Sequence, residues 1–139
     1  MILSNFERTS AISQLCKEIL TSNENIYFVS SINKNGKVIE LEFRNDRIIS
    51  NMTKQQREMF FMQRTLQTSL TMEFDGIIGP LNFITLHRKT FLELLFPYSQ
   101  GIIFVMCDLN IISRYITKKI LFMLQDFEWK IKNIVSECV

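Results

Sequence analysis

The chain predicts an α+β fold: a single five-stranded antiparallel sheet with element order α-β-β-α-β-β-β-α and a long C-terminal helix. Three features carry that prediction. The stretch SINKNGKVIELEF (31–43) alternates and breaks at Asn35-Gly36; two segments, one from Thr53 and one from near Asn110, have helical periodicity; between them lie three short apolar runs parted by turn residues. Each amphipathic helix needs an apolar surface to cover, and one sheet supplies it. At 139 residues and 47% hydrophobic, the chain is long enough for one core and too short for two ordinary domains. Residues 1–139 are therefore expected to form a single domain, with 126–139 as a helical extension.

The first element reads as a helix. Ser4 and Glu7 have capping-box spacing, and Ile12, Leu15, Cys16, Ile19 and Leu20 recur on one face until Thr21 to Asn25 ends the pattern. Ile26 to Ile32 and Lys37 to Phe43 are rich in strand formers, and the NKNG between them tolerates the positive φ angles of a tight hairpin. Asn51-Met52-Thr53 has the letters of a glycosylation acceptor, but Thr53 with Gln56 is also a capping box, which explains the same letters locally. From Thr53 onward Met59, Met62, Leu66, Leu70 and Phe74 form a stripe expected to cover the sheet, and Asp75-Gly76 stops the helix. The runs Ile77 to Leu86, Thr90 to Phe96 and Gly101 to Cys107 follow as a meander, separated by His87-Arg88-Lys89 and by Pro97-Tyr98-Ser99-Gln100. A last helix, starting near Asp108 or Asn110, aligns Ile112, Ile116, Ile120, Met123, Phe127, Ile131 and Ile134.

Little in the chain points to chemistry. The net charge of +2 is spread without a basic block, which gives no support for a nucleic-acid partner. Cys16, Cys107 and Cys138 are far apart, odd in number and set in apolar stretches, as reduced thiols in a cytoplasmic protein would be. MILSNFER lacks the basic start and long apolar core of a secretory signal, and the longest apolar stretches fall short of the ~20 residues that span a bilayer. His87 is the single histidine, and the four glycines form neither a phosphate loop nor a nucleophile elbow. No histidine pair or close cysteine pair has zinc spacing, and Glu73 with Asp75 fits turn chemistry at a helix end. The expectation is a protein that is not an enzyme and that uses no cofactor or metal.

The middle helix offers a candidate contact surface. At ~100° per residue, Lys54, Arg57, Phe61, Arg64, Thr68 and Met72 gather opposite the stripe assigned to the core. Two large apolar groups flanked by two arginines have the composition of an interface centre, so Arg57, Phe61, Arg64, Thr68 and Met72 are the expected interface residues. His87, Arg88 and Lys89 form a basic turn suited to an anion or a partner. Phe127, Ile131, Ile134 and Cys138, with Trp129 off the stripe, give the tail more apolar surface than a short final helix needs. It could cap its own domain, cross to a second subunit or lie against another protein.

LCKEIL leading into IYFVSSINKNGKVI, the helix QQREMFFMQRTLQTSL, and FLELLFPYSQGIIFVMCD are similar to a family of small archaeal proteins of the roadblock/LC7-like branch of the profilin-like fold. The order of elements is the same, and the similarity covers about residues 10 to 125. The resemblance implies a non-catalytic protein that forms homodimers or heterodimers by joining sheet edges and packing middle helices; many such proteins bind or regulate small GTPases. It also implies an alternative, since profilin-like domains include sensors with a pocket between sheet and helix. Two readings follow: a homodimeric scaffold or small-GTPase-linked regulator, whose partners are a second copy and a GTPase or other protein; or an anion- or metabolite-sensing domain entered near His87, Arg88 and Lys89.

Overall fold

The structure, a computed structural model, describes residues 5–137. Strands β1 (Ile26–Ile32), β2 (Val38–Phe43), β3 (Ile84–His87), β4 (Phe91–Tyr98) and β5 (Gly101–Asp108) form one sheet in the order β2-β1-β5-β4-β3. Every neighbouring pair is antiparallel. Helices α1 (Asn5–Thr21) and α5 (Ser113–Glu137) cover one face, and α3 (Lys54–Met72) covers the other. Two short helices, α2 (Arg47–Ser50) and α4 (Asp75–Ile78), flank α3. The central strands β4 and β5 read as nearly continuous apolar runs because helices cover both of their faces.

Two apolar clusters result. Ile12, Cys16 and Ile19 of α1 and Ile116, Ile120, Leu124 and Phe127 of α5 meet Val29, Leu94, Phe96 and Val105 in the larger one. Phe61 of α3 meets Phe28, Ile32, Leu95, Phe104 and Met106 in the other. Burial pushes the thiols of Cys16 and Cys107 up to about 12, and the carboxylates of Glu40 and Glu42 reinforce the effect at Cys16, so both stay neutral.

Local chemistry sets the joints. In the first hairpin the Gly36 N–H donates to the Asn33 carbonyl and the Asn33 N–H to the Lys37 carbonyl, while the Asn33 side chain accepts from the N–H groups of Asn35 and Lys37. Gly36 alone in that turn takes a positive φ, +80°. In the β4–β5 hairpin Tyr98 faces Gly101, whose φ is +135° and whose missing Cβ would lie 2.1 Å from the Ile32 carbonyl oxygen. The end of β1 thus seats directly on Gly101. Arg44, just past β2, donates to the carbonyls of Leu20, Asn23 and Ile26 at 2.8, 2.9 and 2.6 Å, tying the end of α1 to the sheet. Thr53 caps α3 as its letters predict: its hydroxyl accepts from the Gln56 N–H, and the Gln56 side chain accepts from the Thr53 N–H.

Several boundaries differ from the sequence expectation. Of the run Ile77 to Leu86 only Ile84 onward is strand, because β3 begins where it can pair with Leu95 of β4. Its first residues form α4 instead, and Gly79 (φ +101°) with Pro80 breaks the chain before any ladder can start. Strand β4 continues through Pro97, which pairs with Ile102 beyond the end of β3. The last helix starts at Ser113 because Asp108 closes β5 and accepts from the Asn110 N–H, making a turn; Ile112 is left outside the helix and 72% exposed. Ser4 of the expected first capping box and Cys138 of the tail stripe lie outside the described residues.

Candidate functional site

Helix α3 lies on the sheet by the face opposite to the one its periodicity predicts. Phe61 and Thr68, expected outward, are 4% and 1% exposed, and Arg64 is also buried. Met59 and Leu66, expected against the sheet, are 53% and 56% exposed, with Met62, Leu70 and Phe74 likewise on the outside.

The sheet under α3 explains the reversal. Glu93 of β4 is fully buried there, and a carboxylate in that position requires cations. Arg64 supplies one, its Nε 2.7 Å from one carboxylate oxygen, and Arg88 the other, its Nε 2.5 Å from the second. Beside them Phe61 packs edge-on against Phe28 and Phe104, and the Arg64 guanidinium lies over the Phe60 ring at 5.0 Å. Thr65 and Thr68 bring no unmatched polar group inward, since their hydroxyls donate to the carbonyls of Phe61 and Arg64. The more polar face of α3 fits its own sheet, and the more apolar one is left for something else.

The expected interface residues are therefore redistributed. Phe61, Arg64 and Thr68 belong to the interior, Arg57 is half-buried at the β2 side of the helix, and Met72 remains at the surface. In their place the outside of α3 presents Met59, Met62, Leu66 and Leu70, and this apolar surface continues through Phe74 to Ile77 and Ile78 of α4. The periodicity had located this stripe; it could not say which way the stripe pointed.

The basic turn is also reassigned. His87 ends β3, and Arg88 is committed to Glu93, so the guanidinium expected for an external anion already serves an internal one. A shallow depression lined by Arg64, Gln67, Thr85, His87 and Arg88 lies there, and Lys89 does not line it. The larger concavity is at the opposite edge of the sheet, a groove of about 630 Å³ between β2 and α3 with Leu41, Phe43, Ile49 and Phe61 on its walls. Sequence reasoning missed it because it joins two segments whose separate patterns say nothing of each other. Among the described residues no group of three or more His, Cys, Asp or Glu is placed to hold a metal ion, and no helix is long and apolar enough to cross a membrane.

No family model matches the chain, and no curated protein matches it in sequence. Solved structures do match it in three dimensions. The Roadblock/LC7 domain from Streptomyces avermitilis aligns with a TM-score of 0.66 at 7% identity, covering 86% of this chain and 97% of that one. Myxococcus xanthus MglB aligns with a TM-score of 0.66 at 13% identity, covering 94% of this chain and 96% of that one. An MglB described as having a tetrameric arrangement aligns at 0.58 and 7% identity, covering 91% and 96%. With five antiparallel strands, helices on both faces and a long final helix, the chain has the fold of the Roadblock/LC7 domain.

Proposed function

We propose that this protein is a non-catalytic interaction module, a homodimeric scaffold or small-GTPase-linked regulator, that pairs with a second copy through the outer face of α3. The observation that carries the proposal is the stripe Met59, Met62, Leu66 and Leu70, four large apolar side chains about half exposed on a helix whose other face is already sealed on the sheet. Apolar patches of this continuity mark contact surfaces. Joining of sheet edges, implied by the resemblance, would use β3, which ends the sheet on the side of His87 and Arg88. The tetrameric arrangement described for one structural neighbour, an MglB, supports this reading.

Leu66→Glu tests the proposal. Leu66 is exposed, so the charge leaves the monomer's packing intact. In light scattering across a concentration series, wild type is expected to weigh as a dimer and Leu66→Glu as a monomer with an unchanged far-ultraviolet spectrum. A wild-type monomer at high concentration, or a dimer indifferent to the substitution, rejects this face. Phe61→Asp would not test this surface, since it would bury a carboxylate among Phe28 and Phe104 and unfold the domain. The second reading, a small-molecule sensor, is favoured by one feature, the groove between β2 and α3.

A further inference from the structure

The groove between β2 and α3 lies at the end of the sheet away from β3 and shares one residue, Met62, with the proposed dimer face; Arg57 and β2 belong to the groove alone. We propose that it binds an extended peptide of defined polarity, which adds to the sheet as a strand beside β2. Three observations converge on that occupant.

First, β2 ends the sheet opposite β3. The Arg44 N–H donates to the Tyr27 carbonyl, and the register pairs Phe43 with Phe28 and Glu42 with Val29. Antiparallel ladders alternate, so the backbone groups of Glu42 and Glu40 bond β1 while those of Leu41 and Phe43 point away from the sheet. Sheet edges are ordinarily blocked by lysine, proline or a covering segment. Within VIELEF there is no lysine or proline, the bulge in its pairing lies at the Ser31–Ile32 end, its charges Glu40 and Glu42 face α1, and Val38, Ile39 and Phe43 are exposed.

Second, the groove is bounded by that edge strand on one side and by a helix on the other, the arrangement in which strand addition gains both main-chain bonds and pockets for alternate side chains. Leu41, Ile49 and Phe61 make the apolar floor, and Met62, packed over Gly36, closes the hairpin end.

Third, the charges are sorted by face. Lys37, Lys54 and Arg57 stand around the groove and make no ion pair among the described residues, against the single acid Glu58. Glu40 and Glu42 lie on the other face, where both act on Cys16 of α1. The occupant therefore carries apolar and acidic side chains on the groove side and uncharged ones on the α1 side. A second copy's β2 would bring a like set of cations against these, so self-pairing at this edge is disfavoured.

The probe is a capped heptapeptide whose odd positions are glutamate, valine, valine and glutamate and whose even positions are threonine, with companions in which leucine, isoleucine or phenylalanine replaces valine. In amide chemical-shift titrations of the full chain, perturbations are expected at Val38 to Phe43 and along the flank of α3 that includes Arg57. Moving the glutamates to even positions, beside Glu40 and Glu42, should weaken binding at least tenfold, as should Arg57→Glu with the dimer mass unchanged. Of two peptides N-methylated at alternate residues in opposite phases, one should lose binding and the other keep it within a few-fold, because only one phase removes the donors that face β2. Equal binding by both phases, perturbations centred elsewhere, or no binding by any member at millimolar concentration overturns the proposal. Dodecanoate perturbing the groove where no peptide does also overturns it, in favour of a small-molecule site.

Discussion

Two glycines show how much a single missing atom decides. At Gly101 an added Cβ would meet the Ile32 carbonyl oxygen at 2.1 Å and the Asn33 Cα at 2.9 Å, backbone atoms that cannot move without displacing the end of β1. At Gly36 the same addition meets only the far end of the Met62 side chain, which can rotate away. Both residues have positive φ, but only one is walled in by main chain. Gly36→Ala should therefore cost about 1 kcal/mol, the conformational penalty alone, and Gly101→Ala about 3 kcal/mol or more. Urea unfolding of the two variants gives the comparison, and equal losses would mean that the close approach of β1 to Gly101 is not rigid. These joints were only half legible in the sequence. The glycine of NKNG announces a turn through its neighbours, whereas Gly101 serves a strand nearly 70 residues away and has no local signature.

At the scale of elements, α3 is where pattern and structure part. Periodicity reports that a helix has two unlike faces; it does not report what lies opposite each of them. The capping box at Thr53, the hairpin at Asn33 to Lys37 and the α5 stripe from Ile116 to Phe127 were legible because their causes lie within a few turns of chain. The orientation of α3 was not, because its cause is Glu93, which sits on a strand 29 residues from Arg64. That pair also fixes where the helix docks along the sheet: slid by one turn, α3 would set Phe60 or Thr68 opposite the carboxylate and leave it unmatched. Arg64→Met, which strands half of the buried charge, should lower stability by about 3–5 kcal/mol, and adding Glu93→Leu should recover most of the loss. Denaturation of the single and double variants tests the coupling. A double variant no more stable than Arg64→Met would assign the loss to packing around Phe60 instead.

The whole molecule is a sheet with unequal covers. Two helices, α1 and α5, share the larger apolar cluster on one face, while α3, with only the short α2 beside it, covers the other and turns an apolar back to its surroundings. The overall class, the strand count and the order of the strands and three long helices could be read in advance because each of these announces itself, whereas the one-turn helices α2 and α4 did not; which surfaces remain open is a property of the assembled molecule and could not be read. The unequal covers also set an order of opening. Proteins exchange their amide hydrogens through partial unfolding of cooperative units, and the unit with the smaller buried cluster opens first. Helix α3 should accordingly exchange faster than the central turns of α1 and α5. If a second copy rests on its outer face, its protection will also rise with protein concentration while that of α1 and α5 stays constant. Hydrogen–deuterium exchange at two widely separated concentrations distinguishes the cases, and concentration-independent exchange in α3 would count against assembly through that face. With a second copy on that face, the rigidity of one half of the domain would become a readout of how crowded the solution is with its own kind.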